Sequence, residues 1–284
     1  MMSDASTIER PQTGVRKVKG QISYIKDMAE RPRFYANDHS KDVLDLDLRT
    51  VEIEDARSWP IPPDLDREGF MLTRHTSAVQ NFRDNDEVAA LHPAEIEKLL
   101  LEVTGADRVV VNGNGVLRFG ESSPDAGRLN NSFPARFIHI DCSDKTAAEF
   151  SERSRPKDVD RPVRRACSYN VWRVLSPPPQ DIPLAVCDAR SFGMEDLVES
   201  DSIFDMKDAP EWSFESWLVK FDPRHRWVYF SDMDRDDALI FKTNDSDRSK
   251  AHNVPHSAFD DPSCPKGVPT RSSIEMRAIA YWFE

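Results

Sequence analysis

Arg136-Phe137-Ile138-His139-Ile140-Asp141-Cys142 decides how this sequence is read. The run reads as a short strand, and in a strand residues two apart point to the same face. His139 and Asp141 therefore converge on one point, with Phe137 on their face and Ile138 and Ile140 packed on the other. An imidazole beside a carboxylate needs only a second imidazole from elsewhere in the chain to make the 2-His-1-carboxylate face that holds non-haem Fe(II). A His-x-Asp pair alone also occurs as a plain surface ion pair, so the rest of the chain has to supply the missing parts.

The surroundings of this stretch read as strands and turns. From Phe133 onward, Arg136 to Asp141, Tyr169 to Leu175, Leu184 to Asp188, Ala238 to Lys242 and Ser273 to Phe283 are short runs separated by turn residues. Trp217 to Phe221 and Trp227 to Phe230 flank Asp222-Pro223 and are expected to form a hairpin. The pattern predicts a mainly β (α+β) fold, a sandwich or jelly roll, with helices flanking it.

The first half of the chain is less regular. Residues 1–18 are expected to be a flexible N-terminus, and the text up to about Asp66 an N-terminal wrap over a core formed later. Glu68 to Leu72 reads as a strand leading into His75. Asp84 or Asn85 caps a short helical piece, and Pro93 then opens a helix closed by Gly105, with Ile96, Leu99, Leu100 and Val103 on its core face. Arg108 to Val111 and Val116 to Phe119 are expected to pair as a hairpin across Asn112-Gly113-Asn114-Gly115. Those glycines lack the spacing and the following helix of a dinucleotide-binding loop. Gly193 to Asp208 is acidic and is expected to form a short lid helix.

Bulk properties narrow the function. At 284 residues the chain suits a single large β domain, expected here over residues 19–284. A formal charge of −12 argues against nucleic acid as the main partner. No apolar run approaches the roughly 20 residues of a membrane span, and residues 1–18 lack the apolar core of a secretory signal. Cys142, Cys167, Cys187 and Cys264 are scattered with no CxxC, which disfavours a zinc ribbon. Reduced thiols and a cytoplasmic location follow. The expected partners are a small-molecule substrate and O2, with no nucleic acid and no membrane, and the expected assembly is a homodimer.

The second imidazole is expected late in the chain, just before the last strand, where His252 and His256 both stand. A helical zinc pair at this i, i+4 spacing fails, because Pro255 pushes Val254 out of helical geometry and removes a backbone donor. In an extended segment His256, next to Ser257-Ala258-Phe259, is the better ligand, with His252 in reserve. On the last strand, Ile274 and Met276 alternate with Ser273, Glu275 and Arg277. A polar inward face is costly unless an anion or hydrogen-bond partner lies there. A dicarboxylate cosubstrate would explain it, gripped by Arg271 with Ser273 adding a hydroxyl. Arg277 is the rival on the same face, held by Glu275.

These blocks occur together in one known group. The chain resembles the fungal and bacterial hydroxylase/desaturase family that includes gibberellin desaturases and cephem hydroxylases. The resemblance rests on Asp66 to His75 (DREGFMLTRH), Thr104 to Asp107, Arg136 to Ser143 (RFIHIDCS), Asn170 to Leu175 (NVWRVL) and Leu184 to Ser191 (LAVCDARS). It continues through Trp227 to Ser246, His256 to Pro262 (HSAFDDP) and Arg271 to Arg277 (RSSIEMR). It implies a double-stranded β-helix and Fe(II)- and 2-oxoglutarate-dependent hydroxylation or desaturation of a secondary metabolite. It puts His139, Asp141 and His256 on the metal positions and Arg271, or Arg277, on the cosubstrate position. Asn170, Trp172, Arg173, Asp188 and Arg190 fall in its blocks, where substrate binding and core hydrogen bonding are both open. Cys142-Ser143-Asp144-Lys145 is more polar than the family pattern. Phe119, Trp172, Trp217 and Phe259 are candidates for an apolar pocket wall. A cupin-like binding scaffold without redox chemistry and a redox-neutral metal-dependent isomerase are the alternatives.

Overall fold

The structure, a computed structural model, describes residues 14–206 and 209–284. It opens with β1 (Lys17–Ile25), β2 (Arg33–Tyr35), β3 (Leu46–Asp55) and β4 (Phe70–Arg74), followed by the long helix α1 (Asn85–Thr104). Strand β5 (Arg108–Phe119) and the short β6 (His139–Ile140) lead to helix α2 (Asp144–Ser154). Next come β7 (Val163–Val174), β8 (Leu184–Cys187), β9 (Leu197–Phe204) and β10 (Trp212–Val219). Last are β11 (Trp227–Tyr229), β12 (Asp237–Asp245), β13 (His256–Ala258) and β14 (Ser272–Phe283).

The strands make two sheets. The larger runs β1-β3-β11-β8-β13-β6-β10-β9-β2, and the smaller runs β4-β12-β7-β14-β5. Side chains alternate along each strand, and this alternation builds the layers. Trp172, Val174, Leu239 and Phe241 of the smaller sheet meet Leu184, Val186 and Val228 of the larger in one buried cluster, so the sheets face each other as a jelly roll. Tyr169, Val171, Ile240, Met276 and Ala278 point the other way, where Ile96, Leu99 and Leu100 of α1 cover them. Each such side chain contributes about 1.5–3 kcal/mol when fully buried. On β14, Ile279, Tyr281 and Phe283 take up the opposite face and pack with Phe150 of α2.

Several sequence expectations change. The stretch expected as a wrap is two long sheet strands: β1 pairs antiparallel with β3, and β3 continues the larger sheet through β11. Its signal was Gly20, Ile22 and Tyr24 alternating with Lys19, Gln21 and Ser23. Most of the N-terminus expected to be flexible lies outside the described residues, and Lys17 and Val18 already belong to β1. Helix α1 begins before Pro93 because the Asp84 side chain accepts hydrogen bonds from the N–H groups of Asp86 and Glu87. Pro93 thus sits inside the helix, and Gly105 ends it in the left-handed conformation at φ 64°.

No hairpin forms at Asn112–Gly115. Residues 108–119 run as one strand along β14, and the register shifts between Glu275 and Arg277. Gly115, at φ 93°, lies so close to Met276 and Ile274 that a Cβ would meet the Met276 sulphur at 2.7 Å. The expected hairpin across Asp222-Pro223 is absent too. β10 pairs with β9 and β6, whereas β11 pairs with β3 and β8. The acidic lid helix is replaced by a 3-10 turn (Met194–Asp196) and β9, which pairs with β10 along its whole length; Lys207 and Asp208 lie outside the described residues. The polar Cys142–Lys145 stretch is the start of α2, where Ser143 accepts a hydrogen bond from the Thr146 N–H.

Leu100 is fully buried between α1 and the smaller sheet. Leu100→Ala is expected to cost about 2–5 kcal/mol of stability, read as a lower urea-unfolding midpoint, with iron binding by the remaining folded protein unchanged.

Candidate metal centre

The register of two short strands brings the histidines together. β13 lies beside β6 with His256 directly opposite His139, and the two ring centroids are 4.3 Å apart. Asp141 follows β6 on the face of His139. One ligand atom from each of His139, Asp141 and His256 lies within 4.8 Å of the other two. His256 Nε2 stands 3.9 Å from Asp141 Oδ2.

The orientation of both rings is fixed from behind. His139 Nδ1 lies 3.1 Å from the Phe137 carbonyl, and His256 Nδ1 lies 3.1 Å from the Val254 carbonyl. A carbonyl only accepts, so each Nδ1 carries the proton and each Nε2 keeps its lone pair for a metal. Burial first, and then the neighbouring His256, push the His139 imidazole down to about 3. Burial likewise lowers His256. Both are neutral at physiological pH, as metal ligands must be. Burial works to raise the Asp141 carboxyl, yet Arg277, His256, His139 and Asn170 together hold it below its ordinary range. Asn170 Nδ2 donates to Asp141 Oδ2 at 2.6 Å, and an Arg277 Nη2–H donates to Oδ1 at 3.0 Å. Two imidazoles and one clamped carboxylate are the donor set that suits Fe(II).

The segment ahead of His256 is pinned by charge. Lys242, fully buried, donates to Asp66, Asp245 and the Ala251 carbonyl. His252, the reserve ligand, lies outside the centre: its ring nitrogens meet the Asp245 carbonyl and Asp144 Oδ1, each at 2.7 Å. The other histidines also have polar partners, His39 with Asp42, His75 with Arg173, His92 with Glu95 and His225 with Asp196.

The two rival arginines differ sharply. Arg277 is engaged with Asp141 and, at 3.1 Å, with Glu275. Arg271 is 2% exposed and its guanidinium donates only to Ser273 Oγ and the Ile182 carbonyl, both at 3.2 Å, over the face of Trp172. Among the described residues no carboxylate pairs with that guanidinium within 4.0 Å, although Asp181 Oδ1 accepts from the Arg271 backbone N–H at 2.9 Å. Burial, followed by Arg118 and Arg136, drives its pKa down to about 9. A buried cation without a counterion is costly, and a bound carboxylate would relieve that cost.

Of Asn170, Trp172, Arg173, Asp188 and Arg190, only Asn170 hydrogen-bonds the triad. Trp172 lies under Arg271. Arg173 points to the opposite face of β7, where it bonds the carbonyls of His75 and Arg235 and holds two loops together. Asp188 and Arg190 pair with each other and with Arg226 and Glu68, away from the triad. Phe119 and Phe259 are core residues, and Trp217 lies on the face of β10 away from Phe214, Ser216 and Leu218. Beside the triad, a cleft of about 320 Å³ is lined by Asp141, Asn170, Arg277, Phe150, Trp212 and Phe214.

Comparisons with known proteins agree with this geometry. A family described as an oxidoreductase/YMDC permease-like domain matches residues 22–281. The hydroxylase/desaturase CTB9 of Cercospora beticola is 31% identical over 253 residues, covering 83% of this chain and 77% of that protein. The Fe(II)/2-oxoglutarate-dependent dioxygenase nvfI of Aspergillus novofumigatus is 29% identical over 237 residues, 81% of this chain and 82% of that one. A solved structure of the iron and alpha-ketoglutarate-dependent endoperoxidase NvfI superposes with a TM-score of 0.80 at 24% identity, covering 95% of this chain and 100% of that one, a likeness of fold.

The chain belongs to the Fe(II)/2-oxoglutarate-dependent hydroxylase/desaturase family.

Three features of this family member were not read from its sequence. Arg118, buried near His139 and Asp141 with its pKa lowered by that burial, donates to the Asn131 and Phe133 carbonyls. Helix α2, which supplies Phe150, was announced only by Ser143 and the charged run behind it. The aromatic face of β10 was visible as Trp212, Phe214, Ser216 and Leu218 at period two.

Asn170→Ala is expected to weaken Fe(II) or Co(II) binding about 10- to 100-fold, because the partner that orients Asp141 is lost; titration calorimetry under anaerobic conditions checks this. The depressed histidines also set an acid response. The unfolded chain takes up a proton near pH 6.5 that folded His139 refuses until about pH 3. Stability of the metal-free protein should therefore fall as pH drops through that window, and the slope of the denaturation midpoint against pH should be shallower in His139→Asn.

Proposed function

We propose that this enzyme oxidises a C–H bond of a small secondary metabolite, by hydroxylation or desaturation. In this reading His139, Asp141 and His256 hold Fe(II), and Arg271 with Ser273 holds the far carboxylate of 2-oxoglutarate. The observation that carries it is a convergent His-Asp-His set together with a buried arginine at the entry to β14, Arg271, whose guanidinium pairs with no carboxylate. Neither a plain binding scaffold nor a redox-neutral isomerase has a use for that second feature. Bound there, Fe(II) with 2-oxoglutarate and O2 supplies the oxidative decarboxylation to succinate and CO2 that drives C–H oxidation.

The protein's own residues bind and orient. Both imidazoles present a lone pair from rings already locked by backbone carbonyls, so little rotamer freedom is lost on metal binding. Asn170 and Arg277 occupy the outer lone pairs of Asp141 and keep it ionised. Arg271 waits in a low-dielectric site, where a charge-assisted pair is strong and Trp172 limits the guanidinium's tilt. Arg277 is the weaker candidate for the cosubstrate because its charge is already shared by Asp141 and Glu275. The cleft at Asp141 then decides the product, since the C–H bond held nearest the metal reacts.

We further propose that residues 19–284 act as one oxygenase domain, a reading supported by β1 and β13 sharing a sheet with β6. Four unpaired cysteines favour a reducing, cytosolic setting, and no helix among the described residues is long and apolar enough to cross a membrane. The proposed homodimer is a matter for light scattering.

The test is iron-dependent succinate formation from 2-oxoglutarate. His256→Ala should abolish it while the fold survives. Arg271→Gln should raise the half-saturating 2-oxoglutarate concentration roughly 10- to 100-fold, the loss of one or two charged hydrogen bonds. A shift of that size in Arg277→Gln but not in Arg271→Gln would transfer the cosubstrate to Arg277. Absence of iron-dependent succinate from the unaltered enzyme would end the reading.

A further inference from the structure

The cleft beside Asp141 carries a finer message about what enters it. One wall is an aromatic ladder across β9 and β10: Phe204 stacks on Trp212 with centroids 4.6 Å apart at 18°, and Phe214 stacks on Phe204 at 5.4 Å. Phe150 of α2 meets Phe214 edge-on at 5.3 Å. Trp212 is 44% exposed, an unusual cost for the largest aromatic side chain unless something flat covers it. Asn112–Val116 of β5 also line the cleft, and Gly113 adds no side chain there.

Charge in the cleft is equally selective. Its acidic lining residues, Asp141 and Glu275, are both bonded to Arg277. Arg153 lines the same cleft and lies over the Phe150 ring at 4.8 Å. Among the described residues it has no acidic partner within 4.0 Å, so it is the one uncommitted charge on the cleft wall. Its place in the last turn of α2 suits any cation. Arg153 is exposed, and its guanidinium lies over Phe150 on the cleft lining, where an anion entering from solvent would meet it.

We propose that the cleft binds a flat, multi-ring apolar skeleton bearing one anionic oxygen group, a carboxylate or an enolate, with the rings on Trp212 and Phe214 and the anion at Arg153. A volume of about 320 Å³ accommodates such a molecule. The proposal rests on the metal-centre reading in one respect, that it takes the cleft opening on Asp141 as the substrate's.

The probes are two molecules with one ring system, anionic 8-anilinonaphthalene-1-sulfonate and neutral N-phenyl-1-naphthylamine, titrated by fluorescence into the full-length, metal-free protein. The anion should bind about fivefold more tightly, the size of a partly exposed ion pair. Arg153→Gln should erase that preference while leaving the neutral probe's affinity unchanged, and Trp212→Ala should weaken both probes together. Equal affinities in the unaltered protein, a preference that survives Arg153→Gln, or indifference to Trp212→Ala would each overturn the proposal. The two readings fail separately. Probe binding needs neither iron nor 2-oxoglutarate, whereas missing succinate formation counts only against the metal centre.

Discussion

The arrangement depends on the cross-strand register of β6 and β13. A strand has a period of two, so sliding β13 by one residue would turn His256 to the far side of the sheet. Both strands are very short, and neither could hold its register alone. β6 is gripped by β10 on its other edge, where Leu218 stands opposite His139. Its approach is fixed by a bridge from Ser23 to Phe137, in which the Ile138 N–H donates to the Ser23 carbonyl at 2.9 Å. β13 is gripped by β8, with Val186 opposite His256. The N-terminal segment therefore does more than cover the core: β1 braces the strand that carries His139.

Electrostatics follows from the same packing. Two imidazoles, one aspartate, one glutamate and three arginines share a nearly dry space, where unpaired charge is expensive. Asp141 and Glu275 are compensated by Arg277, and Arg118 spends its guanidinium on the Asn131 and Phe133 carbonyls. Both histidines answer burial by staying neutral. The Arg271 guanidinium pairs with no carboxylate: Asp181 accepts from its backbone N–H, and Glu275 and Glu121 act on it only from a distance.

Much of this was legible in the text of the chain. His139 and Asp141 announced themselves by strand spacing, and Pro255 separated His256 from His252 by forbidding the helix that would have paired them. The alternation of β14 marked Arg271, Ser273, Glu275 and Arg277 as one inward face. What escaped was set by distant partners. Whether Asn112–Gly115 reverses the chain or continues it depends on Ile274 and Met276 lying against Gly115, a contact no local pattern encodes. Trp217 and Trp227 looked like neighbours in a hairpin, but β8, β13 and β6 lie between their strands. Arg173 and Asn170 sit three apart in one strand and so face opposite ways; that opposition was readable, but which face held the metal was not.

The contrast between Arg271 and Arg277 shows how one strand serves two purposes. Both stand on the inward face of the chain entering β14, yet the ladder shifts register between Glu275 and Arg277 where β5 bulges past it. Before the shift, the Arg271 guanidinium meets Trp172, Ser273 and the Ile182 carbonyl, while Asp181 accepts from its backbone N–H. After the shift, Arg277 stands opposite Asn170, and the two residues reach Asp141 from either side. Six residues along one run of chain thus separate a cation committed to the aspartate from one whose guanidinium pairs with no carboxylate. In the proposed reading, that separation leaves Arg271 for the dicarboxylate while Arg277 stays with Asp141.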